Sequence, residues 1–139
     1  MRVVLDTNIL FGFFWKRSGV RTLVEKNVLS LAAPKIALIE LRRYKSAICK
    51  KANITPKQFL ETLKRLPEKV FIVDEEEYAE FMEPAKRLCP DPDDVAFFAL
   101  ALAFDRPLWT NDRMLDHQSK LRVFHTTEMA EVVVELQQG

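Results

Sequence analysis

Arg2-Val3-Val4-Leu5-Asp6-Thr7-Asn8 is the stretch that decides how this chain folds. A short β-branched run ending on a carboxylate predicts a buried strand whose last acid emerges at the carboxyl edge of a sheet, where ligands of open α/β folds bind. Three further acids stand at comparable places. Glu40 lies on a predicted helix, Asp94 opens an apolar helix, and Asp112 follows the run Pro107-Leu108-Trp109. Carboxylates converging at one sheet edge repel one another and need a cation. Mg²⁺ or Mn²⁺ suits them, because hard divalent ions prefer oxygen ligands and keep water for chemistry.

Outward from that stretch, strands are predicted over 2–5, 29–33, 70–73, 107–109 and 121–124. Helices fill the gaps. Thr55, Pro56 and Gln58 supply an N-cap, a first-turn proline and a capping-box partner for a helix from Pro56 to about Leu66. Asp74-Glu75-Glu76-Glu77 repeats that logic for a helix running towards Leu88. Pro34 starts another, in which Ala37, Leu41, Tyr44 and Ile48 form the buried stripe with Glu40 beside it. Val95 to Phe104 is apolar on all sides and reads as a deeply packed helix. Strands alternating with helices imply an α/β fold, a parallel sheet covered on both faces.

At 139 residues and 48% hydrophobic content the chain is expected to form one domain over 1–139. Its longest apolar run, 95–104, is far shorter than the roughly 20 residues that cross a bilayer. The stretch Ile9 to Trp15 follows charged Asp6 and does not read as a secretory signal. A soluble, cytoplasmic protein is expected, with no membrane partner. Cys49 and Cys89 lack the close pairing of zinc or redox motifs. His117 and His125 lack metal-ligand spacing and read as structural. Three glycines, Gly12, Gly19 and Gly139, exclude a dinucleotide fingerprint.

The net charge of +1 hides a division, since residues 1–73 carry 15 Lys+Arg against 5 Asp+Glu and residues 74–139 carry 6 against 15. Solvated helix faces of opposite sign explain such clusters adequately. A basic wall beside an acidic metal pocket explains them too, and suits a polyanionic substrate. The acids also have ordinary explanations. Asp6 can cap the helix that follows it, Glu40 can pair with Arg43, Asp91 can cap the turn at Pro92, and Asp112 can cap a short helix through His117. Asp94 is harder to dismiss, because a carboxylate at the first turn of an all-apolar helix is costly to desolvate without a partner.

Taken together, Val3-Val4-Leu5-Asp6-Thr7-Asn8, helix-borne Glu40, Asp94 with Ala99 and Ala101 behind it, and Leu108-Trp109-Thr110-Asn111-Asp112-Arg113-Met114-Leu115 resemble the PIN domain pattern of metal-dependent ribonucleases. The resemblance covers essentially the whole chain. It implies a three-layer α/β/α fold with a five-stranded parallel sheet in the order 3-2-1-4-5. It also implies that Asp6, Glu40, Asp94 and Asp112 are the catalytic and metal-binding acids, with Asp6 and Asp94 on a first ion and Glu40 and Asp112 holding waters or a second. Asn8 and Thr110 match supporting positions, the latter orienting the last acid, while Asp91 and Asp93 fall outside the main pattern. Phosphodiester hydrolysis would leave a 3′-hydroxyl and a 5′-phosphate. Lys16, Arg17, Arg21, Arg42, Arg43 and Lys45 would bind RNA, beside Phe13, Phe14 and Trp15, of which at least two should serve the core or an interface. An antitoxin protein is an expected partner if the chain is a toxin, ribosomal RNA processing is the other role of such proteins, and a homodimer or larger homo-oligomer is expected.

Rival readings fit less well. A receiver-type signalling domain would show adjacent acids after the first strand, and a haloacid dehalogenase-type phosphatase would place an acid where Asn8 stands. The serious alternative is a PIN-like module that binds RNA or protein with little or no cleavage.

Overall fold

The computed structural model describes residues 1–139. Its strands β1 (Arg2–Leu5), β2 (Ser30–Pro34), β3 (Val70–Val73), β4 (Leu108–Trp109) and β5 (Val123–Phe124) form one sheet in the order β3-β2-β1-β4-β5. Every pairing is parallel. Eight α-helices connect and cover the strands: α1 (Thr7–Phe11), α2 (Gly19–Val24), α3 (Ile36–Arg43), α4 (Lys45–Ala52), α5 (Pro56–Arg65), α6 (Met82–Leu88), α7 (Val95–Phe104) and α8 (Thr126–Gln138). The result is the α/β/α layering and strand order that the resemblance implies.

Apolar content explains the layers. Val3, Val4 and Leu5 of β1 are all buried, as expected of a central strand covered on both faces. Helix α7 lies against β1, β2 and β4 and is itself covered by α6, so Phe97 to Ala101 are sealed on every side. Gly12 lets the chain turn closely over α2, since a Cβ there would lie 2.7 Å from Cβ of Val20. Phe13 and Phe14 are both buried, and Phe14 stacks on Phe59 of α5 at 4.9 Å. Trp15 is half-buried, and its indole N–H donates to the Lys51 carbonyl.

Local chemistry sets the boundaries. Helix α5 starts with the predicted reciprocal capping box between Thr55 and Gln58. Four expectations are corrected. Pro34 ends β2 instead of starting a helix, paired in register with Val73. The helix expected to run on through Tyr44 breaks there at ψ 14°, which turns the buried stripe so that Leu41 and Ile48 stay inside while Tyr44 is 47% exposed against Phe11. The acidic segment 74–77 does not launch a long helix. Asp74 makes no cap hydrogen bond, and burial of Tyr78 draws its backbone to φ −127°, leaving 3-10 turns at Glu75–Glu77 and Ala79–Phe81 before α6 begins. Finally, β5 begins at Val123, because the Gln118 amide already satisfies the Leu121 N–H and carbonyl.

No helix is long and apolar enough to cross a membrane.

Candidate metal centre

In the strand order β3-β2-β1-β4-β5 the chain winds outward from β1 to β3 and then returns to β4 on the other side. The crevice between the carboxyl ends of β1 and β4 is therefore the switch point at which open α/β sheets bind ligands. Asp6 follows β1 directly and caps α1, with Oδ1 accepting the Ile9 N–H at 2.9 Å. The carboxylate is 1% exposed. Its other oxygen accepts the hydroxyl of Thr110, the residue after β4, and that same hydroxyl accepts the Asp112 N–H at 3.0 Å. Thr110 thus ties the first acid to the backbone of the last. Burial pushes the Asp6 carboxyl up to about 6, although the Thr110 and Ile9 hydrogen bonds oppose the shift.

The loop 91–94 places two acids together. Asp91 caps the 3-10 turn Pro92–Asp94 by accepting the Asp93 N–H at 3.0 Å. Asp91 is the extended residue just before the turn and Asp94 its last residue, so the single turn folds the two carboxylates back towards each other. Asp91, Asp94 and Asp112 each bring an oxygen within 4.8 Å of the others. Burial pushes the Asp94 carboxyl up to about 8, helped by a hydrogen bond shared with Asp112 and by the charges of Asp6, Asp91 and Asp112. The hydrogen bonds from Asp91 and Asp94 hold Asp112 below the usual carboxylate range, while the same contact raises Asp91. One oxygen of Asp94, Oδ2, is buried with no hydrogen-bond partner.

Glu40 approaches from α3, its Oε2 accepting the Thr7 hydroxyl at 3.3 Å one residue beyond Asp6. Burial raises its carboxyl, Thr7 and Arg43 oppose that, and Asp93 adds to it. Asp6, Asp94 and Asp112 are brought close enough to feel one another's charge, whereas Glu40 is tied to the end of β1 only through Thr7, and neither it nor Asp6 joins the oxygen cluster of Asp91, Asp94 and Asp112. Asn8 is exposed, and its contribution is a backbone N–H that favours the Asp6 carboxylate.

Behind the crevice, the buried His125 bridges the Thr110 carbonyl, 2.6 Å from Nδ1, and the Asp116 carboxylate, 2.8 Å from Nε2. Asn111 accepts the Thr126 N–H at 2.9 Å, locking the same loop to the start of α8.

Asp91 and Thr7 are the site residues that the sequence pattern did not single out. The i,i+3 spacing of Asp91 and Asp94 was the available signal, hidden by the obvious capping role of Asp91.

The basic residues are dispersed. Arg42 and Arg43 are exposed on α3 beside Glu40, and half-buried Lys45 starts α4. Lys16 and Arg21 line a separate cleft of about 540 Å³ with Phe13, Phe14 and Arg65, to which none of the four acids contributes. Arg21 is paired there with Glu25 at 3.1 Å, and Arg17 is exposed in the adjoining turn.

The residues present fit a divalent ion. Once ionised, three clustered carboxylates are acceptors only, and a hard cation satisfies them together with the buried, unpartnered oxygen, which the protons shared with Asp112 leave unmet.

The fold is similar to that of VapBC2 from Rickettsia felis, crystallised with a DNA fragment from its promoter, at TM-score 0.64 and 20% identity over 90% of this chain and 98% of that one. It is also similar to VapBC-1 from nontypeable Haemophilus influenzae, at TM-score 0.62 and 18% identity over 91% and 99%. No curated protein matches the chain in sequence. The family model for the PIN domain matches residues 4–132, from the second buried residue of β1 into α8. This chain therefore belongs to the PIN domain family.

Proposed function

We propose that residues 1–139 act as one catalytic domain, a Mg²⁺- or Mn²⁺-dependent endoribonuclease of the cytoplasm. The observation that carries this reading is the buried Asp94 oxygen without a partner, set among Asp91, Asp112 and Asp6 at the switch point of the sheet. Asp94, Asp112 and Asp91 would hold the ion, with Asp6 beside them and Glu40 orienting water from α3. A divalent ion supplies two things when bound there: polarisation of a phosphate oxygen and a lowered pKa for the attacking water. Thr110 keeps Asp6 and Asp112 in register. Arg42 and Arg43, on the helix that carries Glu40, would hold phosphates of the bound strand.

A toxin restrained by an antitoxin protein is the physiological role that this reading favours. VapBC2 and VapBC-1 share the fold.

Cleavage of single-stranded RNA by the purified chain, in Mg²⁺ or Mn²⁺ and with EDTA as control, tests the activity. Ion-dependent cleavage lost in both Asp6→Asn and Asp94→Asn supports it. Wild-type rates in those variants would refute the assignment, and ion-dependent thermal stabilisation with RNA binding but no cleavage would leave the binding-module reading instead.

A further inference from the structure

The opposite edge of the sheet carries a second concavity that the nuclease reading does not use. Val4, Ala32 and Phe71 lie in one register row across β1, β2 and β3, and Arg2 and Ser30 pair two residues nearer the amino ends. Side chains two apart on a strand share a face, so Arg2, Val4, Ser30, Ala32 and Phe71 present together on one face of the sheet. Helix α7 covers this region only in part, and its last residue, Phe104, with Arg106 just beyond, closes the far wall. The small side chains of Ser30 and Ala32 leave a hollow of about 500 Å³ between Phe71 and Phe104. Phe71 is 66% exposed on the outer strand of the sheet.

Two features identify what would fill it. The floor and walls are mostly apolar, with the Ser30 hydroxyl the one neutral polar side chain. No acid lines the hollow, and neither Arg2 nor Arg106 takes part in an ion pair. An apolar side chain would be accommodated there, and carboxylates flanking it would meet guanidinium groups free to bind them in bidentate geometry. A nucleobase carries several polar edge atoms, and Ser30 is the one neutral polar side chain here to meet them, whereas two unpaired guanidinium groups match carboxylates. We infer that this hollow docks an extended acidic segment of a partner protein, inserting one large apolar side chain between Phe71 and Phe104 with acidic neighbours on Arg2 and Arg106. The inference stands independently of the nuclease assignment, because the surface lies at the amino ends of the strands and the carboxylates at their carboxyl ends.

The test is selection of a phage-displayed library of random dodecapeptides on the full chain, with the selected peptides then measured against wild type, Arg106→Glu and Phe71→Ser. Both positions are on the surface, and thermal melts check that the variants fold. Selected peptides that combine Asp or Glu with a large apolar residue, and that lose about tenfold or more in affinity for each variant, support the inference. Peptides that are neutral or basic, or that bind both variants as they bind wild type, overturn it. Loss of affinity for a short oligouridylate in Arg106→Glu would assign the surface to RNA, and a smaller sedimenting species in Phe71→Ser would assign it to a second copy of the chain. Either of these also overturns the inference.

Discussion

The Thr110 hydroxyl donates to a carboxylate oxygen of Asp6 across 104 residues of chain. Because the Thr110 hydroxyl oxygen also accepts the Asp112 N–H, a single side chain couples the ends of β1 and β4 and fixes the spacing of two acids. Thr110→Val keeps the shape and removes both hydrogen bonds. Divalent-ion affinity should fall by about 10- to 100-fold with the fold retained, as measured by calorimetric titration with Mn²⁺. Unchanged affinity would show that Thr110 does not orient the acids.

Asp94 and Asp6 give the metal-free protein a defined pH dependence. Their carboxyls are raised to about 8 and about 6 in the folded chain, above ordinary aspartate, so the folded state keeps protons that the unfolded state releases. As pH rises from about 4 the unfolded chain ionises first, and stability contributed by these groups declines until Asp94 itself ionises near 8. Metal-free melting temperature should therefore fall from pH 5 to pH 8. Asp94→Asn should flatten that decline and raise the melting point at pH 8, by on the order of a few degrees. Mg²⁺ should restore the wild type and release protons on binding. A melting temperature that climbs over this range would contradict the assignment.

Asp91 provides a sharper test of geometry than the residues singled out in the sequence. It shares the oxygen cluster with Asp94 and Asp112 despite its evident capping role. Asp91→Asn preserves an acceptor for the Asp93 N–H and removes a charge from the cluster. Ion affinity should drop severalfold or more while the melting temperature changes little. A change in stability alone would mark Asp91 as a cap and nothing else.

Phe59 and Gly12 test the packing that supports the site. Phe59 is fully buried and stacks on Phe14, so Phe59→Ala should cost about 3–5 kcal/mol by chemical denaturation. Gly12→Ala would drive a methyl group towards Cβ of Val20, backed by the Val20 branch rather than a flexible chain end, and should cost about 1–3 kcal/mol. Near-neutral values at both positions would mean that this corner is looser than the contacts indicate.

Much of the architecture was legible from local chemistry. The Val70–Val73 strand and the capped start of α5 follow from β-branched runs and capping residues read a few positions at a time. The acids after β1 and β4 were legible for the same reason, since each follows a short apolar run. Two of the departures, the break at Tyr44 and the turns at 74–81, have a different cause. Tyr44 and Tyr78 obey tertiary packing, one expelled by a helix break and the other drawn into the core, and neither outcome is written in the local pattern. Asp91 has a real capping role, and its proximity to Asp112 arises only when the loop at 91–94 meets the end of β4. The Lys and Arg residues, grouped in sequence, separate in space because Arg42 and Arg43 ride on α3 beside Glu40 while Lys16 and Arg21 line the cleft at Phe13 and Phe14.

On the proposed function, carboxylates distant in sequence hold a divalent ion at the ends of β1 and β4. Anomalous diffraction from crystals grown in Mn²⁺ tests it most directly. A peak within about 2.3 Å of an Asp94 oxygen, shared with Asp112 or Asp91, is the expected result. An ordered crevice with no peak at saturating Mn²⁺, or a peak bound elsewhere on the molecule, would contradict it.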